Sequence, residues 1–82
     1  MDIKIRSVED IKRDMIQGVE DPDKPLNIRE LTMPVREEPV GKVLDAIEWL
    51  SEEEVIKNLG YNRSSRLPTY QVDKLKAKQK YL

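Results

Sequence analysis

The chain of 82 residues predicts a mostly α fold, a small single domain of three to four helices over residues 1–82. Three observations point there. Apolar residues recur at helical spacing in residues 7–17 and 40–50. Capping residues stand in front of several of these runs. Gly18, Gly60 and Pro68 punctuate the sequence where such helices would stop or start.

Ser7-Val8-Glu9-Asp10 opens the first helix. The Ser7 hydroxyl can accept a first-turn N–H that has no partner inside the helix, and Glu9 and Asp10 suit the positive end of its dipole. Ile5, Val8, Ile11, Met15 and Ile16 follow at helical spacing. Gly18 ends the run, since it takes the left-handed conformation without penalty. Residues 19–39 read as an irregular, proline-rich linker carrying Pro22, Pro25, Pro34 and Pro39. Within it, Asn27-Ile28-Arg29-Glu30 predicts a capped turn of helix through Thr32. An extended edge segment with Leu26 and Ile28 on one side is the other reading.

Val40, Val43, Leu44, Ile47 and Leu50 form the clearest apolar stripe, so residues 40–50 predict a helix with one face on a core. Ser51-Glu52-Glu53-Glu54 has the pattern of a capping box. It predicts a new helix with Val55, Ile56 and Leu59 as its apolar residues and Gly60 as its end. After a polar connector, Tyr61 to Arg66, Pro68 suits the first position of a last helix running to about Lys80. That segment is poorly amphipathic. Residues 68–82 are therefore expected as a basic C-terminal helix or a mobile arm.

Composition excludes much chemistry. Without cysteine there are no disulfides or thiolate metal sites. Without histidine the commonest general base near neutral pH and the usual zinc ligands are missing. The acids at 45, 48 and 52–54 suit helix ends better than a hard-cation site. No enzyme, cofactor or metal is expected. The longest apolar runs are too short for a signal peptide or a membrane span, which predicts a cytoplasmic protein with no membrane partner.

The net charge of −1 hides a division. Residues 1–55 carry 8 Lys/Arg against 15 Asp/Glu, whereas residues 56–82 carry 7 against Asp73 alone. Residues 47–72 combine the end of a stripe helix, the Ser51–Gly60 segment and the turn Asn62-Arg63-Ser64-Ser65-Arg66. In this they resemble helix-turn-helix DNA-binding proteins. Arg66-Leu67-Pro68-Thr69-Tyr70-Gln71-Val72 is similar to a segment of excisionase-like winged helices. The resemblance implies that Ser51–Gly60 is the first helix of the motif and that Asn62, Arg63, Ser64 and Ser65 open the recognition helix.

Two functions follow. The first is a small nucleic-acid-binding regulator, DNA favoured, of a phage, virus or mobile element. It would act through Asn62, Arg63, Ser64, Ser65, Arg66, Lys74, Lys76, Lys78 and Lys80, the cations neutralising phosphates. The second is a protein-interaction or assembly module. It would use Trp49, which lies about 180° round the helix from Val40, the acidic face or the C-terminal segment. A homodimer is compatible with either. A basic helix projecting freely after residue 60 would support the first reading. A tail folded back on the acidic body would support the second.

Overall fold

A computed structural model describes residues 6–82. Ile5, expected on the first helix, lies outside the described residues. The elements run α1 (Val8–Gln17), β1 (Leu26–Asn27), α2 (Ile28–Thr32), a 3-10 turn (Met33–Val35), α3 (Val40–Glu52), β2 (Ile56–Asn62), β3 (Leu67–Val72) and α4 (Lys74–Tyr81). The three strands form an antiparallel sheet in the order β1-β3-β2. The expectation of a mostly α, all-α fold is overturned by this sheet; the domain is α+β.

The N-terminal half follows its local signals. Ser7 caps α1 through the Asp10 N–H, and the Asp10 carboxylate returns the bond to the Ser7 N–H, a capping box contributing about 1 kcal/mol. Gly18 ends α1, but its backbone is right-handed rather than left-handed. It is needed for space instead: a Cβ there would lie 2.3 Å from Pro34 Cγ. Residues 19–39 are not wholly irregular. Asn27 caps α2 with a capping box to Glu30 and, with Leu26, also pairs with Thr69 and Tyr70 of β3. The capped helix forms as expected; of the extended alternative only Leu26 and Asn27 are strand, and Ile28 belongs to the helix.

The second half departs from expectation at Ser51. α3 continues through Glu52, and the Ser51 hydroxyl donates back to the Ile47 carbonyl instead of capping a new helix. Glu54 then takes a left-handed conformation, φ 61°. Val55 N–H reaches Leu50 O at 2.9 Å and Glu54 N–H reaches Ser51 O at 3.1 Å. These two bonds are a Schellman closure, and the fully buried pair Leu50 and Val55 gives it its apolar contact. The capping-box pattern thus marks the end of a helix, and Ile56 leaves it as a strand.

β2 and β3 form a hairpin registered Ile56↔Val72 to Asn62↔Leu67, with a bulge at Leu59. Gly60, φ 95°, sits at that bulge and donates to Asn58 Oδ1 at 2.7 Å rather than ending a helix. Pro68, expected to open a helix, lies in β3 opposite Tyr61. β1 extends only to Thr69, so the other side of β3 is an open edge at Pro68, where a missing N–H is tolerated. The last helix begins only at Lys74, with Asp73 as its cap.

One core joins these parts. Ile11, Met15 and Ile16 of α1 and Leu31 and Val35 meet Val43, Ala46, Ile47 and Leu50 of α3. Val55, just after α3, and Ile56, Tyr70 and Val72 of the sheet close it, with Ala77 and Tyr81 from α4.

Candidate functional site

Three separate places stand out on the surface, and the residues singled out from the sequence fall in two of them. Arg63, Ser64, Ser65 and Arg66 form the loop of the β2–β3 hairpin. Asn62 anchors it, its Oδ1 accepting from Ser64 N–H at 2.8 Å and Ser65 N–H at 3.2 Å, while Arg66 N–H donates to Asn62 O at 2.7 Å. The capping chemistry expected of Asn62 is present, but it organises a four-residue hairpin loop and not the start of a helix. Beyond Ile56 the whole of β2 is exposed, as are all four loop residues.

Lys74, Lys76, Lys78 and Lys80 lie on α4, which folds back on the acidic body. Lys76 pairs with Glu54, Lys80 with Glu53 at 3.3 Å, and Lys74 with Asp23 at 3.9 Å. Among the described residues Lys78, Arg63 and Arg66 have no carboxylate within ion-pair distance. The basic third of the chain is thus two populations, one spent on the fold and one free.

Glu53 is the centre of the first population. Its carboxylate accepts from Lys12 Nζ at 2.7 Å and from the Tyr81 hydroxyl at 3.0 and 3.1 Å, beside Lys80. Lys12, only 2 % exposed on α1, also meets Glu9 at 2.9 Å. Its ammonium lies 5.2 Å from the Trp49 ring centre and 5.7 Å from that of Tyr81. Burial alone would lower the Lys12 pKa, but hydrogen bonds to Glu53 and Glu9 outweigh it and hold the ammonium above the ordinary lysine value. Burial would likewise raise Glu53, yet the bonds from Lys12, Tyr81 and Lys80 leave it below the usual carboxylate range. Burial is also the main cause of the raised Tyr81 hydroxyl. Lys12, Lys80 and Tyr81 all donate to the one carboxylate of Glu53, so the cluster fastens α1, the end of α3 and α4 together. Trp49 is the exposed lid of that cluster, 42 % exposed, with its ring over the Lys12 ammonium.

The third place was not singled out. Val40 and Leu44, read as the core stripe of α3, remain 73 % and 53 % exposed. They line a groove of about 390 Å³ between α2, the 3-10 turn and α3, with Ile28, Val43, Ile47 and Leu67 making its apolar floor and end. Arg29 and Arg36 stand on the α2 side. On the other side Glu48 lies about 40° round α3 from Leu44, and Asp45 about 100°. Gly41, Asp45, Glu48 and Glu52 make up the outward ridge of α3. The one cation of α3, Lys42, donates to the Arg6 carbonyl at 2.7 Å.

No family model, curated protein or solved structure matches the chain. Among the described residues no three acids are grouped to hold a metal ion, and no helix is long and apolar enough to cross a membrane.

Proposed function

We propose that the chain is a protein-interaction module built on the helix pair α2–α3, which meets its partner over the groove and the exposed flank of α3. One observation carries this reading: the outward side of α3 offers Val40, Leu44, Gly41, Asp45 and Glu48 with no free cation. In a helix-turn-helix protein the second helix of the pair enters the DNA major groove. The resemblance set the motif's helices at Ser51–Gly60 and from Asn62, where β2 and the hairpin loop run; the helix pair that stands before the hairpin is instead α2–α3. An α3 ridge of acids facing phosphates would be repelled, and exposed Val40 and Leu44 offer bases little beyond a thymine methyl. Contiguous exposed apolar side chains with a polar rim suit a protein surface. The fold-back of α4 supports the same choice, because it ties three of the four tail lysines to the chain's own acids.

The test is affinity capture with the full chain, before and after nuclease treatment, set against Leu44→Asp. A single stoichiometric protein retained through nuclease and lost with Leu44→Asp is the expected result. Retention that vanishes with nuclease would overturn the reading. A second reading stays open on one observation, the free Arg63 and Arg66 at the exposed hairpin loop. It assigns the hairpin to the phosphate backbone of duplex DNA. Absence of detectable duplex binding at low salt would remove it.

A further inference from the structure

We infer that the occupant of the α2–α3 groove is a second copy of this chain, in a two-fold dimer. The inference rests on the groove reading above and adds the identity of the partner. Charge is distributed unevenly around the groove. Arg29 and Arg36 line it from α2 and the residues that follow. Glu48, about 40° round α3 from Leu44, borders it from the α3 side. Among the described residues none of these three has an intramolecular ion-pair partner. Glu38, the acid on the arginine side, is already taken by Arg6 at 3.4 Å.

An apolar strip with cations along one flank and an acid along the other is complementary to itself. A two-fold axis laid along the strip places Val40 and Leu44 of each copy together. It also carries the arginine flank of one copy over the acidic flank of the other, twice per dimer. An isologous interface requires this self-complementarity. A foreign helix of uniform positive charge would match Glu48 but would meet Arg29 and Arg36 with like charge.

The experiment is sedimentation velocity on the full chain from about 1 µM to about 1 mM, a range that spans ordinary dimer affinities. The unmodified chain is expected to pass from monomer to dimer. Leu44→Asp, at an exposed position with its folding checked by circular dichroism, is expected to raise the dissociation constant at least about tenfold, since the change enters the interface twice. Reversing the arginine flank (Arg29→Glu with Arg36→Glu) and Glu48→Arg should each weaken the dimer about tenfold, and the combination should return it to within about threefold of the starting value. That rescue requires the arginine flank of one copy to face Glu48 of the other. A 9.6 kDa monomer at every concentration would overturn the inference, as would a dimer indifferent to Leu44→Asp or a combined variant no better than its parents. If the chain stays monomeric while the captured protein is still lost with Leu44→Asp, only the second-copy inference fails. If Leu44→Asp changes neither experiment, the groove reading fails with it.

Discussion

The hairpin loop and α4 are built from similar residues, basic and polar with little apolar content, and stand within twenty residues of each other. Their charges nevertheless do different things. On α4 each lysine that points toward the body finds a carboxylate, and Ala77 and Tyr81 on the same helix enter the core. On the hairpin, Arg63 and Arg66 extend from strands that leave the body after Ile56, out of reach of every described acid. What separates them is distance from the acidic half, not composition. A charged segment is a ligand site only where the fold has not already neutralised it.

The sharpest way to break that contrast is to release α4. Glu53→Ala removes the acceptor shared by Lys12, Tyr81 and Lys80 and leaves the Lys12 ammonium, on α1, with Glu9 alone. A buried cation deprived of its main partner costs several times what an exposed pair is worth. The expected loss is about 2–3 kcal/mol, a fall in Tm of roughly 10–20 °C for a domain of this size. Thermal melts read it directly. A change below about 0.5 kcal/mol would mean that α4 is held by Ala77 and Tyr81 packing alone.

Acid should loosen the same contact. The Glu53 pKa in the folded chain lies below its ordinary value of 4.5. Its contribution is therefore complete above about pH 4.5 and is lost as pH falls through the lower, folded value. Lys12 is raised above 10.5, so its share is complete below that pH and disappears only in stronger alkali. The stability gap between the unmodified chain and Glu53→Gln should thus be flat through neutrality and close below about pH 4.5. A gap that persists unchanged at pH 3 would assign the clamp to packing.

The sequence disclosed what is local. Ser7 capping α1, Asn27 capping α2 and the stripe of α3 each depend on residues within a turn of one another. Ser51-Glu52-Glu53-Glu54 has the letters of a helix start, and only the burial of Val55 against Leu50, with Ile56 paired to Val72, turns it into a helix end. That pairing spans sixteen positions, and the bulge at Leu59 spoils the alternation in β2 that would have announced a strand. In β3 the alternation was present: Tyr70 and Val72 are buried, with Gln71 less so between them. Pro68 obscured it. Lys12 was legible in principle, since it stands four residues from both Val8 and Ile16 on the apolar side of α1. Its partner Glu53 lies 41 positions away, beyond any local pattern. The groove was hidden for the converse reason. Val40 and Leu44 belong to the stripe by spacing, but α2 is too short to cover them.

The base of the hairpin offers a smaller test of where stability resides. Thr69 Oγ1, on β3 opposite Asn27, is buried without a hydrogen-bond partner among the described residues. Thr69→Val keeps the shape, removes the unsatisfied hydroxyl and suits a strand, so it should stabilise the chain by about 0.5–1 kcal/mol. Denaturant melts would show a higher midpoint with an unchanged slope. A loss instead would mean that the hydroxyl has a partner, such as a bound water.

The smallest effect on stability, and the most telling for the contrast, is expected at the loop. Arg63→Ala removes an exposed charge with no ion-pair partner among the described residues, so stability should stay within about 0.5 kcal/mol. Lys76→Ala removes an exposed pair with Glu54 and should cost up to about 1 kcal/mol. If the hairpin meets a duplex backbone, the same Arg63→Ala lowers the slope of log affinity against log salt by about one, as a single lost phosphate contact does, while Lys76→Ala leaves that slope alone. If the slope moves equally for both, the lysines of α4 leave their carboxylates when a polyanion is present, and the division between spent and free charge fails. If it moves for neither, the loop arginines do not contact phosphate, and the groove on α3 remains the one surface of this chain with a ligand to find.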